Sequence, residues 1–301
     1  MNKNSNFVVS IVIPSYNEGV NLLRCLDSIL LSAGPKSDLI VVDDGSFANA
    51  SAQLKGYPIR LISLGGNFGP AYARNAGVRE SKGDVILFTD ADCVVMENWA
   101  EQFSNSLVEA RRNDSRVAAA CGRVKSERGF FASCHAFAGY SYVQSSEKRS
   151  TEMVNTACMA VFKDSFLSAG GFNEDMRVCE DIDLGLRMTE RGFRIVYDPG
   201  ISVEHHHGIK TFGQLLRRHS EWGVRHGSKV YLLHPRKYRF FLPFLKSSVT
   251  HFFSIILFAV LTTFKIIFHN MREHKEVLLY SFHILLCKIV FRWGIFKAKH
   301  D

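Results

Sequence analysis

Val85-Ile86-Leu87-Phe88-Thr89-Asp90-Ala91-Asp92 is an apolar and β-branched run that ends in two carboxylates one alanine apart. Residues that are apolar at every position fit a strand covered on both faces, since a strand with one wet face alternates. The aspartates then stand at its carboxyl end, where an open α/β sheet binds its ligands. An Asp-x-Asp there can offer oxygens to a divalent cation and to the anion which that cation neutralises. An acidic turn closing a strand is the plainer alternative. The other strand ends decide between the two.

Residues 7–13 (FVVSIVI) predict a first central strand ended by Pro14, with Ser15-Tyr16-Asn17-Glu18-Gly19 as the loop at its carboxyl end. Leu22, Leu23, Leu26, Ile29 and Leu30 then recur at helical spacing up to Gly34-Pro35. Residues 39–42 form the next strand and run directly into Asp43-Asp44-Gly45-Ser46. A third strand, residues 59–64, leads into a loop of Gly65, Gly66, Asn67, Gly69 and Pro70, followed by helical composition over 71–80. Alternating strands and helices with short connections predict an α/β fold with a mostly parallel sheet. Parallel strands bring their carboxyl ends to one side, so Tyr16, Asp43, Asp44, Asp90 and Asp92 are expected to converge. Convergence favours a binding site over an isolated turn. The first strand is followed by no Gly-x-Gly-x-x-Gly and the chain holds no Gly-Lys-Ser/Thr, which disfavours a dinucleotide site and a P-loop.

A chain of 301 residues with 47% hydrophobic composition can bury a large core and still carry an appendage. Its net charge of +8 suits an anionic partner, whether nucleic acid, membrane or phosphorylated substrate. Seven cysteines without a Cys-x-x-Cys pair argue against a disulfide framework and a cysteine zinc site, and fit a reducing cytosol. The short apolar run after Lys3 meets Asn17 and Glu18 too soon to serve as an export signal.

After a helix at residues 97–111 and a strand at 117–120 the pattern loosens. Residues 122–153 mix Lys125, Arg128, Lys148 and Arg149 with Phe130, Phe131, Phe137, Tyr140 and Tyr142. That mixture fits a mobile lid or a sugar-facing surface better than a nucleic-acid platform, for which no motif is present. Residues 157–162 predict a strand, and 166–172 a short helix closed by Gly170-Gly171. Glu180-Asp181-Ile182-Asp183 opens a further helix, and capping explains one or two of its acids but not all three. Past residues 195–197 and Asp198-Pro199-Gly200 comes Val203-Glu204-His205-His206-His207-Gly208. In extended chain His205 and His207 face the same way and can ligate a cation, a solvated run being the alternative. Residues 211–226 read as an amphipathic helix whose Arg217, Arg218 and Arg225 either meet phosphate or are simply solvated.

The tail differs in kind. Beyond Arg236, Lys237, Arg239 and Lys246, residues 249–268 are long enough to cross a bilayer, and residues 277–296 form a second, weaker span, with an interfacial hairpin as the competitor. The basic linker and Lys297-Ala298-Lys299 would share the cytoplasmic side, with Met271 to Glu276 as the short outer turn.

The order of motifs resembles a family 2 glycosyltransferase with the GT-A fold, over roughly residues 7–222. The motifs are Val9-Ser10-Ile11-Val12-Ile13-Pro14-Ser15-Tyr16-Asn17-Glu18, Val41-Val42-Asp43-Asp44-Gly45-Ser46, Ala73-Arg74-Asn75-Ala76-Gly77, Thr89-Asp90-Ala91-Asp92 and Glu180-Asp181. The resemblance implies a GT-A domain, placed at residues 1–230, and the tail read above adds a basic linker at 231–248 and two transmembrane or membrane-associated helices within 249–296. It implies that Pro14, Tyr16, Asp43 and Arg74 hold the nucleotide base, with Glu18 and Asp44 beside them. Asp90 then contacts the ribose, and Asp92 with His205, or next His207, ligates Mg2+ or Mn2+. Asp181 is the implied general base, and Glu180 and Asp183 either orient it or bind the acceptor. The implied partners are a nucleotide-sugar donor, a glycan or lipid-linked acceptor and the cytoplasmic membrane, with the catalytic domain in the cytosol. A nucleotidyltransferase and a non-catalytic sugar-nucleotide binder are the competing readings. Processive members carry Gln-x-x-Arg-Trp, whereas Gln214-Leu215-Leu216-Arg217 is followed here by Arg218, which points to transfer of single sugars.

Overall fold

The computed structural model describes residues 7–32, 37–47, 50–140, 145–224, 229–238 and 248–300. Gly34, Pro35, Tyr142, Arg225, Arg239 and Lys246 lie outside them. Strands β1 (Val9–Ser15), β2 (Asp38–Asp43) and β3 (Arg60–Ser63) alternate with α1 (Val20–Ser32), α2 (Ala50–Gln53) and α3 (Pro70–Glu80), and α3 leads into β4 (Val85–Phe88). All four strands run parallel with β1 between β2 and β4. Every residue of β4 is buried, as its unbroken apolar pattern requires. Pro14 does not end β1, which pairs with β2 as far as Ser15. The pairing with β4 stops at Val12, so from there β1 has one neighbour and tolerates a residue without an N–H.

The chain continues through β5 (Cys93–Val95), α4 (Trp99–Asn113), β6 (Val117–Ser126), α5 (Phe130–Tyr140), β7 (Arg149–Thr151), β8 (Met159–Phe162), α6 (Lys163–Ser168), α7 (Glu180–Glu190), β9 (Arg194–His205), α8 (Phe212–Trp222) and α9 (Lys229–Leu233). The spatial order is β3-β2-β1-β4-β8-β6-β9-β5, with β7 also on β9. The sheet is therefore mixed. β8 inserts antiparallel between β4 and β6, and β5 and β7 lie antiparallel to β9, whereas β6 and β9 are parallel.

The loosened stretch at 122–153 is more regular than its composition indicates. β6 runs on to Ser126, and FFASCHAFAGY folds as α5 with Cys134, His135 and Ala138 buried, rather than forming a lid. Phe130, Phe131 and Phe137, which looked like part of a ligand surface, fill contacts between α5 and the tail. Asp198-Pro199-Gly200 is a bulge inside β9, because the register with β6 jumps from Gly122 opposite Asp198 to Arg123 opposite Ser202.

Apolar side chains cover both sheet faces. Ile11, Ile13, Leu26, Trp99, Phe103 and Tyr197 pack on one side, and Val12, Ile40, Phe88, Phe166, Phe172 and Leu184 on the other. A third cluster joins the tail helices Ser248–Asn270 and Val277–His300 to the catalytic domain, with Ile266, Ile284 and Cys287 against Cys134, Phe137 and Leu215. Val277–Phe296 is the helix that is long and apolar enough to cross a membrane among the described residues. Ser254–Asn270 is shorter, and the side chains at the start of the first expected span, 249–253, are outside the description. The turn expected on the outer side of a bilayer touches the catalytic domain instead: the Ser146 N–H donates to Glu273 Oε2 at 2.7 Å.

Candidate active site

Four strand ends and one helix start build the site. At the end of β1, Asn17 takes a left-handed conformation (φ 58°), its N–H donates to Ser46 Oγ at 2.9 Å, and its Oδ1 accepts from the Phe47 N–H at 2.9 Å. These bonds tie the β1 loop to the β2 loop and leave Tyr16 exposed beside Phe47, with ring centroids 6.2 Å apart. Such a pair of open aromatic rings can accept a planar base. Asp43 is buried and accepts from the Ser46 N–H at 3.1 Å, which shapes the loop that carries it.

Asp44 has a different task from the one expected. Its two oxygens accept from the Phe68 and Gly69 N–H groups at 2.7 and 2.8 Å, anchoring the glycine loop that starts α3. The same loop approaches so closely that a Cβ on Gly45 would stand 2.6 Å from the Gly66 carbonyl carbon, and Gly45 has φ +79°. The Asp-Asp-Gly-Ser pattern thus marks a structural joint as much as a binding loop. Glu18 also departs from the nucleotide side. Burial raises its carboxyl above the usual range, and the Asp92 charge raises it further, which places it next to the aspartate pair.

Asp92 and His205 meet because β5 follows the aspartate pair at once and runs antiparallel to the end of β9, with Cys93 opposite His205. The His206 N–H donates to the Asp92 carbonyl at 2.9 Å, and His205 Nε2 stands 2.8 Å from Asp92 Oδ1. Burial alone would raise the Asp92 carboxyl and lower His205. Their mutual attraction outweighs it, holding the carboxyl low and the imidazole high. Asp92, Cys93 and His205 bring ligand atoms within 4.8 Å of one another. Burial and the neighbouring aspartates push the Cys93 thiol well up, and a hard cation such as Mg2+ or Mn2+ prefers the carboxylate and imidazole to its sulfur. An oxygen and a nitrogen donor fit Mn2+ or Mg2+ once diphosphate oxygens join them.

Arg74, expected near the base, is buried between Asp90 and Glu180, with its Nη2 at 2.6 Å from the first and its Nη1 at 2.7 Å from the second. One guanidinium therefore binds the end of β4 to the start of α7. Asp183 is buried too, held by Arg187 at 2.7 Å and by His234 Nε2 at 3.0 Å, while His234 Nδ1 faces Glu190 at 3.1 Å. Of the three acids that open α7, Asp181 alone has no cationic partner at bonding distance among the described residues. Burial and the Glu180 charge push its carboxyl up to about 7. Cys179, immediately before this helix, has φ 62°, an uncommon conformation for a residue with a Cβ.

Sequence reasoning missed His135. Its ring lies 4.6 Å from that of His207, and its Nδ1 is 3.2 Å from His219 Nε2, while His207 packs against His205 with ring centroids 3.8 Å apart and the rings tilted by 46°. Burial and the adjacent imidazoles hold His135 and His207 well below the ordinary histidine range, so both are neutral. A single histidine within FFASCHAFAGY, on the face that α5 buries, was the available signal. Gln214 is occupied in capping α8, accepting from the Thr211 N–H at 3.0 Å. Arg218 on the same helix is half-buried and close enough to act on the charges of Asp92 and His205, whereas Arg217 is exposed.

The family model "Glycosyl transferase family 2" matches residues 10–171. An uncharacterized glycosyltransferase of Haemophilus influenzae is 29% identical over 61% of this chain, and the chain spans 62% of that relative's length. Glycosyltransferase AglE of Haloferax volcanii is 25% identical over 70% of each. Among solved structures, the mannosyltransferase PcManGT from Pyrobaculum calidifontis in complex with GDP-Man and Mn2+ matches with TM-score 0.57 and 21% identity, over 75% of this chain and 64% of its own. GalNAc-T7 with UDP, GalNAc and Mn2+ matches with TM-score 0.53 and 17% identity, over 76% and 50%. At these identities the two structures share the fold. With the family model covering more than half of its length, the chain belongs to glycosyl transferase family 2.

Proposed function

We propose that this chain transfers a single sugar, with inversion, from a nucleotide-diphosphate donor to a hydroxyl of a glycan or lipid-linked acceptor at the cytoplasmic membrane, with a UDP-sugar as the default donor. The observation that supports the reading is the Asp90–Arg74–Glu180 bridge, which ties the segment that carries Asp92 to the helix start that carries Asp181, whose carboxyl is pushed up to about 7. Asp92 and His205 would hold the cation, with the tilted ring of His207 packed behind His205. A divalent cation bound there supplies Lewis-acid neutralisation of the departing diphosphate. Arg218 adds a fixed positive charge on the same side. Tyr16 offers a stacking face to the base, Asp43 an acceptor, and Asp90 its remaining oxygen to the ribose.

Asp181 takes the proton of the attacking hydroxyl, for which a carboxyl near the working pH is well matched. The hydroxyl oxygen bonds to the anomeric carbon as the bond to the diphosphate oxygen breaks, and one such in-line displacement inverts the centre. A nucleotidyltransferase would need a basic or glycine-rich phosphate loop after β1, and Tyr16-Asn17-Glu18-Gly19 is not one. A non-catalytic binder would have no use for a raised, unpaired carboxyl. Hydrolysis of a panel of nucleotide sugars, with Mn2+ or Mg2+ and with chelator, tests the reading. Metal-dependent release of nucleoside diphosphate from one donor is expected, and release from none overturns it.

A further inference from the structure

The tail helices are apolar on their outer as well as their inner face, unlike a surface hairpin of a water-soluble protein. On Ser248–Asn270 the exposed positions include Leu257, Leu261, Phe264 and Phe268, spaced along one face, and Leu279 and Phe282 continue it on Val277–His300. The opposite face packs Ile266, Ile284 and Cys287 against the rest of the chain and also carries a few polar groups. Thr263 and Asn270 are buried with side chains bonded to Ala259 and Ile266 carbonyls at 2.8 Å, and Lys288 Nζ donates to the Ala138 carbonyl of α5. A helix that is apolar outward as well as inward is matched to an apolar surrounding medium.

That medium does not have to be crossed. A spanning helix separates its ends by about 30 Å of hydrocarbon, so a catalytic domain at one end cannot touch the other. Val277–Phe296 touches the domain at both ends. The preceding turn bonds Ser146 through Glu273, Tyr280 packs on Phe130 and Phe137 with centroids 5.2 and 5.8 Å apart, and Gly294 meets Gly223. The last contact is so close that a Cβ on Gly294 would stand 2.6 Å from the Ser220 carbonyl oxygen. Lys265, Arg272 and Lys275 are exposed beside the apolar stripe and its connecting turn together with Glu273 and Glu276, and the chain as a whole carries a net charge of +8, which favours an anionic surface.

We propose that both tail helices lie in the plane of an anionic membrane surface, their outer apolar stripe inserted at the headgroup boundary, and seat the catalytic domain on one leaflet without crossing it. The proposal rests on the reading of the chain as a glycosyltransferase acting at the membrane. It also places α5 and α8, which carry His135, His219 and Arg218, directly over the lipid surface, so that an acceptor with a lipid anchor reaches the metal site from below.

The test uses the full chain and phosphatidylcholine vesicles with and without phosphatidylglycerol. Flotation with the anionic vesicles, weakened by salt, is expected, and Phe264→Glu should reduce it about tenfold or more while donor hydrolysis is unchanged. A Glu276→Cys variant in the turn is then treated with a membrane-impermeant maleimide from outside, the parent chain being the control because six of its seven cysteines are buried. Labelling from outside supports the in-plane arrangement. Protection until detergent is added means that the hairpin spans, and overturns it while leaving membrane action intact. Absence of flotation removes the membrane reading itself.

Discussion

Asp44 and Asp92 follow strands on either side of β1, and the same side chain does opposite work in the two places. In the β2 region each carboxylate accepts backbone N–H groups, with Asp43 closing its own turn and Asp44 holding Phe68 and Gly69. In the region formed by β4, β9 and α7, carboxylates face other ionisable groups. Asp92 faces His205, Asp90 and Glu180 share Arg74, and Asp181 remains with its carboxyl raised. Backbone donors are fixed and neutral, so they make a carboxylate part of the frame. Titratable partners can be displaced by a cation or exchange a proton, so they leave it available for chemistry.

Replacing Asp92 by Asn is the strongest way to break that contrast. Metal-dependent turnover should fall by about 10²- to 10³-fold, with the circular dichroism spectrum and melting temperature close to wild type. A variant that keeps its turnover would put Asp92 with the frame. Asp181→Asn should lower turnover by about 10²-fold or more while donor affinity, measured by calorimetry, stays within a few-fold. The pH profile sharpens the same assignment. Asp181 accepts a proton only when ionised, so wild-type turnover should fall about tenfold per unit as pH drops below about 7 and level off above it. The acidic limb should vanish from the residual rate of the Asn variant.

His135→Ala removes the imidazole packed against His207 and His219, and should raise the Mn2+ concentration for half-maximal turnover by about tenfold, the usual size of an outer-shell effect on a metal site. A metal titration reads it directly. Asp44→Asn should have the smallest effect on turnover, less than about threefold. It should still destabilise the fold by about 1–2 kcal/mol in urea unfolding, since charge-assisted bonds to two loop N–H groups become weaker neutral ones. If that variant loses turnover instead, Asp44 belongs to the donor site.

The strands β1, β2 and β4 and the convergence of their carboxyl ends were legible because a doubly covered strand has a local signature, an apolar run ended by polar residues. Asp92 and Asp181 were legible through the order of the motifs. The partners were not. Nothing near residue 74 reveals that its guanidinium is held by residues 90 and 180, and nothing near 92 reveals that Cys93 lies opposite His205. Helix α5 was obscured because aromatic and basic residues in one short stretch mimic a ligand surface when the tail that covers them is far along the chain. In the tail, composition announced an apolar environment, whereas only the tertiary structure shows both ends of the last helix in contact with the rest of the chain.

By itself, then, the sequence determined which residue types stand at which strand ends, and with them the family and the kind of chemistry available. Local pattern suffices there, because burial on both faces of a strand dictates its composition and the strand end dictates where polar residues emerge. Only the tertiary structure decided which carboxylates are held by backbone N–H groups and which face titratable side chains. That property belongs to pairs of groups brought together from distant segments, and burial sets the strength of each pairing.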